Sequence, residues 1–491
     1  MPCRQRPAGG FVAVVTKQIE AERALADIYP ARFCTLCRKE DAMSKQRIQL
    51  SDHFTYSRLL RFVLPCIGTM LFTSIYGIVD GLCVSNFVGK TAFAAVNLIM
   101  PLPMLLGTIG FMLGTGGSAI VGITLGEGDQ KKADRYFTLF LLAALVSVSV
   151  LAVLGIVFLR PIAVLLGAKG ELLDYAVRYG RILMVSLPTF ALQNMFQSFF
   201  VTAEKPHLGF WFTVGAGCTN MVLDVLMVGV WGWGVEGAAI ATFISQLVGG
   251  VLPVFYFIDR SNTSRLHLCQ TKVYGGVLRD ACINGSSELM TNLSMSLVNI
   301  LYNYQLLRLA GENGVAAYGV IMYAAFLFVA VFVGYAVGSA PIVSFHYGAR
   351  NHAEVHNLYR KSLRLIAVVA VTLTLASMFI IPCVARVFVG YDAELLALTS
   401  RAFRLYALSF LIMGFNVYAS SFFTALGDGV TSALISFLRT LAFQVIAILL
   451  LPMLLGIDGI WLAVTAAELA ALAVSAAMLL TKDKVFHYRK A

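Results

Sequence analysis

The chain has 491 residues, 59% of them hydrophobic and 13% charged, with a mean hydropathy of +0.80. A soluble chain of this size carries roughly 25% charged residues, so this one cannot cover a water-facing surface and takes lipid as its solvent. Its formal charge of +11 sits between apolar runs rather than on one basic face, which excludes a nucleic-acid partner, and the long continuous runs exclude a barrel.

Residues 1–57 read as an N-terminal extension, expected to be disordered, with a possible true start at Met43. Its Cys34 and Cys37 form a lone CxxC without a second ligand pair, too little for a zinc site. The nine cysteines are scattered, mostly inside apolar runs, and give no disulfide framework. Apolar runs then place membrane helices near 58–84, 91–123, 136–159, 178–202, 208–229 and 237–258. A polar linker at 259–279 follows, and six more helices lie near 281–308, 315–346, 364–390, 402–424, 431–455 and 458–481. The fold class is therefore an all-α integral membrane protein of twelve transmembrane helices. The domain division is an N-lobe at 58–258, the linker, and a C-lobe with a short tail at 280–491.

Sliding the chain by 222 positions superposes GGSAIVGITLG from Gly116 on GSAPIVSFHYG from Gly338. The same offset superposes GVEGAAIATFISQ from Gly234 on GIDGIWLAVTAAE from Gly456, and GKTAFAAV from Gly89 on GENGVAAY from Gly311. The halves are parallel six-helix repeats, which places a pseudo-twofold axis along the membrane normal with a cavity between two pseudo-symmetric lobes. Lys and Arg concentrate in segments such as 131–135, 260–279, 350–364 and 482–490, which predicts both termini on the cytoplasmic side of the cell inner (plasma) membrane.

An ionised side chain at mid-membrane costs about 2.5–3.5 kcal/mol on insertion scales and points to function. Asp80, Asp224 and Glu288 meet that condition. Asp80 ends a stripe with Thr69, Thr73 and Tyr76 on the first helix, where Pro65 removes a backbone hydrogen bond and permits bending. Asn220 and Asp224 share a face of the fifth helix, and Thr242 interrupts the sixth. Together these offer oxygens for a proton or a hard cation, and two carboxylates in one poorly solvated pocket cannot both ionise without one. At the 222 offset their counterparts are Tyr302, Ala442, Ile446 and Val464, so the second half lacks all four groups. The other reading of these residues is a carboxylate–amide network that only fixes helix packing.

The seventh helix carries a stripe of Glu288, Asn292, Ser296, Asn299 and Asn303, and the fourth one of Ser186, Thr189, Gln193 and Gln197. Both suit a wet substrate cavity, with Tyr76 at its side, or else plain interhelical hydrogen bonding. Arg439 and Glu468 are explained by snorkelling or an ordinary ion pair. GTGGS lacks the Lys-Ser/Thr ending of a phosphate loop, and His346, His352 and His356 have no HExxH-type companion, so no catalytic residues, resident metal or cofactor are expected.

The segments IVDGLCVSNFVGKTAFAAVNL, GITLGEGDQKKA and NMVLDVLMVGVWGWGVEGAAIATFISQ resemble the MATE (multidrug and toxic compound extrusion) family over roughly residues 55–481. The resemblance implies two six-helix lobes exporting drugs or metabolites against entry of Na+ or H+. It further implies that Asp80, Asn220, Asp224 and Thr242 form the amino-lobe cation site and that Pro65 matches a helix-bending proline of DinF-like members. NorM-like members carry acids on the seventh and tenth helices; the tenth span here has none, which favours the DinF/MepA-like branch and speaks against a carboxyl-lobe cation site. The expected function is multidrug efflux by secondary ion transport, with amphipathic small molecules and the lipid bilayer as partners and the protein acting as a monomer. The alternative is a lipid-linked or polysaccharide flippase of the same superfamily, which calls for a strongly cationic cavity.

Overall fold

Helix is the only solution for a chain that must satisfy its own backbone polar groups in hydrocarbon without closing a barrel. A computed structural model describes residues 48–88, 90–390 and 392–489; Cys34, Cys37 and Met43 lie outside them. Among the described residues, nine helices are long and apolar enough to cross a membrane on their own. One of them, Gly275–Gly348, has 74 residues, far more than a bilayer needs, and breaks at Gly311 (φ 62°, ψ −152°) into the seventh and eighth spans. The pair Ala393–Ala407 and Phe410–Ala425, bent by 46°, makes the tenth span. The fourth, Glu171–Thr202, is less apolar because it carries Glu171, Asp174, Gln193 and Asn194. That completes twelve.

The spans run past their expected ends, because charged residues such as Lys131 and Arg135 extend helices beyond the hydrocarbon layer. The expected 91–123 helix is instead a short helix, Lys90–Ile99, a turn at Met100, and Pro101–Gly126, since Pro101 and Pro103 favour a fresh helix start. The outward surface is apolar, with Val157 64%, Phe379 81% and Met453 81% exposed, as lipid contact requires.

The repeat is written in the backbone. Helices start at Gln130 and His352, and at Glu171 and Ala393, each pair 222 apart. Asp129 and Asn351 cap the third and ninth spans alike, each side chain accepting from the N–H three residues on (Lys132 at 3.0 Å, Glu354 at 3.1 Å). Gly234 and Gly456 open the sixth and twelfth spans at φ 59° and 60°. The fifth and eleventh spans, however, start at Pro206 and Gly429, an offset of 223. The counterparts of Asn220 and Asp224 are Ala442 and Ile446 at an offset of 222, and Phe443 and Ala447 at 223; all four are apolar.

The lobes meet through the second and eighth spans. A Cβ on Gly126 would lie 2.0 Å from the Phe345 carbonyl oxygen, and one on Gly348 2.0 Å from that of Ile123. Gly348→Ala must push these backbones apart, and thermal unfolding in detergent should show a loss of about 1–3 kcal/mol, the usual cost of overpacking; an unchanged melting curve would deny that the two helices touch here.

Residues 50–54, assigned to the disordered extension on sequence grounds, are packed: Leu50 and Phe54 are fully buried. The Leu50 N–H donates to Glu204 Oε1 at 2.9 Å, and Glu204 also holds Arg265 at 2.7 Å. The Phe54 N–H donates to Glu354 Oε1 at 2.9 Å, His53 Nδ1 lies 2.6 Å from Glu354 Oε2, and Asn357 and Lys361 donate to the Phe54 carbonyl at 3.2 and 2.6 Å. This strap joins the turn between the fourth and fifth spans, in one lobe, to the start of the ninth, in the other.

Candidate coupling site

The first span, Tyr56–Phe87, packs along the fifth, Pro206–Asp224, and the fifth along the sixth, Gly234–Gly250. Gly217 allows the first contact: a Cβ there would meet Phe72 Cε1 at 2.5 Å and Tyr76 Cδ1 at 3.1 Å. The first helix runs unbroken through buried Pro65, whose carbonyl accepts from Thr69 Oγ1 at 2.9 Å.

This packing brings the Asp80 and Asp224 carboxyl groups within hydrogen-bonding range of each other. Asp224 is fully buried and Asn220, one turn earlier, is 2% exposed. Two carboxylates supply no donor. Asp80 Oδ1 and both Asp224 oxygens are accordingly buried without a hydrogen-bond partner, and two donors, Asn220 Nδ2 and Thr73 Oγ1, are buried unpaired as well. Unpaired buried acids are expensive, and a proton or monovalent cation shared by the pair removes the cost. Among the described residues no three His, Cys, Asp or Glu side chains form a metal-ligand group, which leaves this acid pair with neutral oxygens around it. Directly after Asp224 the helix widens into a π-turn, Val225–Val230, a local irregularity common at functional sites.

One residue that sequence reasoning did not single out joins the setting, and a second is buried unpaired on the sixth span. Tyr179 of the fourth span, 1% exposed, feels the charge of both aspartates, and its hydroxyl lies 3.9 Å from Met100 Sδ. Gln246 follows Thr242 by one turn on the sixth span, and its buried Oε1 has no partner. The signal for it was the four-residue spacing from Thr242. Thr242 itself is half-buried, and Tyr76 lies near Asp80.

The two polar stripes are dispersed. Gln193 packs on Gly249, where a Cβ would meet its Cδ at 2.8 Å, and so belongs to the contact of the fourth and sixth spans. Gln197 lines a small gap with Cys66, Thr69 and Val337. Glu288 lines a cavity of about 110 Å³ with Ser118, Ser287, Thr291, Ser436 and Arg439. Asn299 lines a second of about 110 Å³ with Tyr302, Tyr318, Arg439 and Glu468, and accepts from the Tyr318 hydroxyl at 2.6 Å. Asn292 donates to its own helix at the Glu288 carbonyl, 2.9 Å away, and Asn303 is exposed.

Arg439 and Glu468 do not snorkel. Glu468 is fully buried and Arg439 15% exposed, with Nε 3.7 Å from Glu468 Oε1. Asn416 Nδ2 donates to Glu468 Oε2 at 2.7 Å, and Ser475 Oγ to Asn416 Oδ1 at 2.9 Å. Packing of the eleventh span against the twelfth encloses both side chains.

A family model, MatE, matches residues 65–226 and again 289–450. The chain belongs to the MatE family. The double match is the repeat, one copy in each lobe. Members are transporters rather than enzymes. The chain is similar to proteins called multidrug export protein MepA from Staphylococcus saprophyticus subsp. saprophyticus (21% identical over 436 residues, 88% of this chain and 95% of the relative) and Staphylococcus aureus (22% over 433 residues, again 88% and 95%). Among solved structures, a MATE in complex with MaL6 superposes with a TM-score of 0.84 at 22% identity, covering 91% of this chain and 100% of the other. The outward-facing conformation of a multidrug resistance MATE family transporter gives the same TM-score and identity, at 91% and 99% coverage. The fold of this MatE member is thus a two-lobe helical one, and the MepA relatives agree with the branch that the sequence favoured.

Proposed function

We propose that this MatE transporter is a secondary active exporter of amphipathic, often cationic small molecules, which it exchanges for H+ or Na+ by alternating access. The observation that carries the reading is the Asp80–Asp224 pair, with Asp80 Oδ1 and both Asp224 oxygens buried without a hydrogen-bond partner. The name of the MepA relatives, multidrug export protein, supports the substrate class. We place it in the cell inner (plasma) membrane with both termini cytoplasmic. In that orientation the strap and the Gly126–Gly348 contact close the cytoplasmic side, and the substrate path opens outward. Entry of the ion neutralises the pair, removes their repulsion and lets the first span shift about Pro65, which releases substrate and favours the inward-open state; the ion's differential affinity for the two states supplies the coupling.

The test is efflux of a cationic dye from proteoliposomes under separately imposed pH and Na+ gradients. One gradient should drive accumulation against the dye's own gradient, and dissipating it should stop transport. Dye movement indifferent to both gradients would overturn the reading.

A further inference from the structure

The two lobes differ in a way that the repeat makes quantitative. At the 222 offset Gln246 of the sixth span corresponds to Glu468 of the twelfth, so the second lobe is not stripped of polar groups: it has a carboxylate where the first has an amide. In both lobes the charged group lies beside a π-turn of the equivalent span, Val225–Val230 after Asp224 and Leu438–Ala442 around Arg439. Among the described residues, the first lobe pairs two acids, Asp80 and Asp224, and no base is recorded against them. The second buries Glu468 and holds Glu288 within electrostatic reach, with Arg439 between them: it lines both cavities, lies 3.7 Å from Glu468 and interacts with Glu288. At a separation of 3.7 Å the Arg439 Nε and Glu468 Oε1 make no hydrogen bond, and neither atom has another partner. The contact is one of charge.

We propose that Arg439 is a tethered cation that does for the second lobe what an exchangeable ion does for the first, so that the coupling ion is carried in one lobe only. This rests on the reading of Asp80 and Asp224 as the exchangeable site. A guanidinium never loses its proton at physiological pH and cannot leave its helix, so it neutralises Glu468 permanently. Asn416 and Ser475 fix the Glu468 carboxylate toward it. Removing the guanidinium leaves two acids without a cation beside them, the same condition that defines the first lobe, and converts the second into a site for Na+ or a proton.

The experiment uses full-length protein in detergent and follows its melting temperature as Na+ replaces N-methyl-D-glucamine, and separately as pH falls. Ligands bound only by the folded form raise that temperature. Asp224→Asn alone should lose the response of the unaltered protein; if it responds unchanged, the first-lobe reading fails and this proposal loses its basis. Arg439→Gln in the Asp224→Asn background should regain a saturable response to Na+ or to protons, and adding Glu468→Gln should remove it. No regained response in folded, monodisperse Arg439→Gln protein would overturn the proposal while leaving the first-lobe site intact. Should Arg439→Gln fold only in high Na+ or at low pH, the proposal stands. If it folds in neither while Arg439→Gln with Glu468→Gln folds, or if neither variant folds, Arg439 is a packing element and the proposal is wrong.

Discussion

Asp224→Asn should lower ion-driven exchange by about 5- to 150-fold and leave the protein folded. The substitution keeps shape and removes one negative charge from a pair of which both Asp224 oxygens and Asp80 Oδ1 are buried without a partner. The new amide can donate to Asp80, so the stability should hold or rise, by about 1 kcal/mol for one hydrogen bond gained, and the melting temperature with it. Function should move the other way. An ion that no longer sees two acids has little reason to prefer one lobe geometry over another, and a coupling free energy of about 1–3 kcal/mol is worth about 5- to 150-fold in exchange. Gradient-driven efflux in proteoliposomes should fall by that factor, while binding of the dye at equilibrium persists. The opposed signs make the test sharp: a merely structural carboxylate–amide network predicts loss of stability first and loss of transport only as its consequence. Exchange at the unaltered rate in a stable Asp224→Asn protein would remove the coupling role from this pair.

Much of the architecture was legible because lipid imposes simple rules. Twelve runs, two halves and the polar groups at Asp80 and Asp224 all follow from the cost of putting charge or an unpaired amide in hydrocarbon. What failed to show depends on depth and on long sequence separations. Arg439 looks the same on paper whether it snorkels or is buried; only the packing of the eleventh span against the twelfth decides it, since Glu468 is 29 residues away in sequence and 3.7 Å in space. A single offset of 222 hid a one-residue slip in the eleventh span, which left the polarity pattern unaltered and so raised no alarm. Gln246 escaped notice because it is neutral, and Tyr179 because its neighbours are supplied by other helices. The break at Met100 follows from Pro101, a signal present in the sequence but outweighed by the continuity of the apolar run.

Glu354→Ala should release the strap and with it the closed side of the transporter. Glu354 is only 6% exposed and accepts from the Phe54 N–H, Asn357 Nδ2 at 2.8 Å and, when His53 is the donor, from Nδ1 at 2.6 Å. Residues 50–54 have no helix or sheet of their own, so these bonds, with burial of Leu50 and Phe54, are what orders them. Truncating one partner of a buried charged hydrogen-bond group costs about 2–5 kcal/mol, much of it the penalty on the groups left behind. The partners lie 300 residues apart in sequence, one before the first span and one at the start of the ninth, so the loss falls on the contact between lobes rather than within one of them. Two measurements separate this from general destabilisation. Protease should cut at residues 50–54 under conditions that leave the bundle whole, and a cysteine placed at Ser344, whose Cβ would lie 2.9 Å from a Cβ on Gly122 across the lobe contact, should gain reactivity toward a water-soluble thiol reagent. Glu354→Gln retains acceptors for Phe54 and Asn357 and should restore most of the protection. A strap that stays protected in Glu354→Ala would mean that Leu50 and its bond to Glu204 hold the segment alone, and that the ninth span takes no part in closing this side.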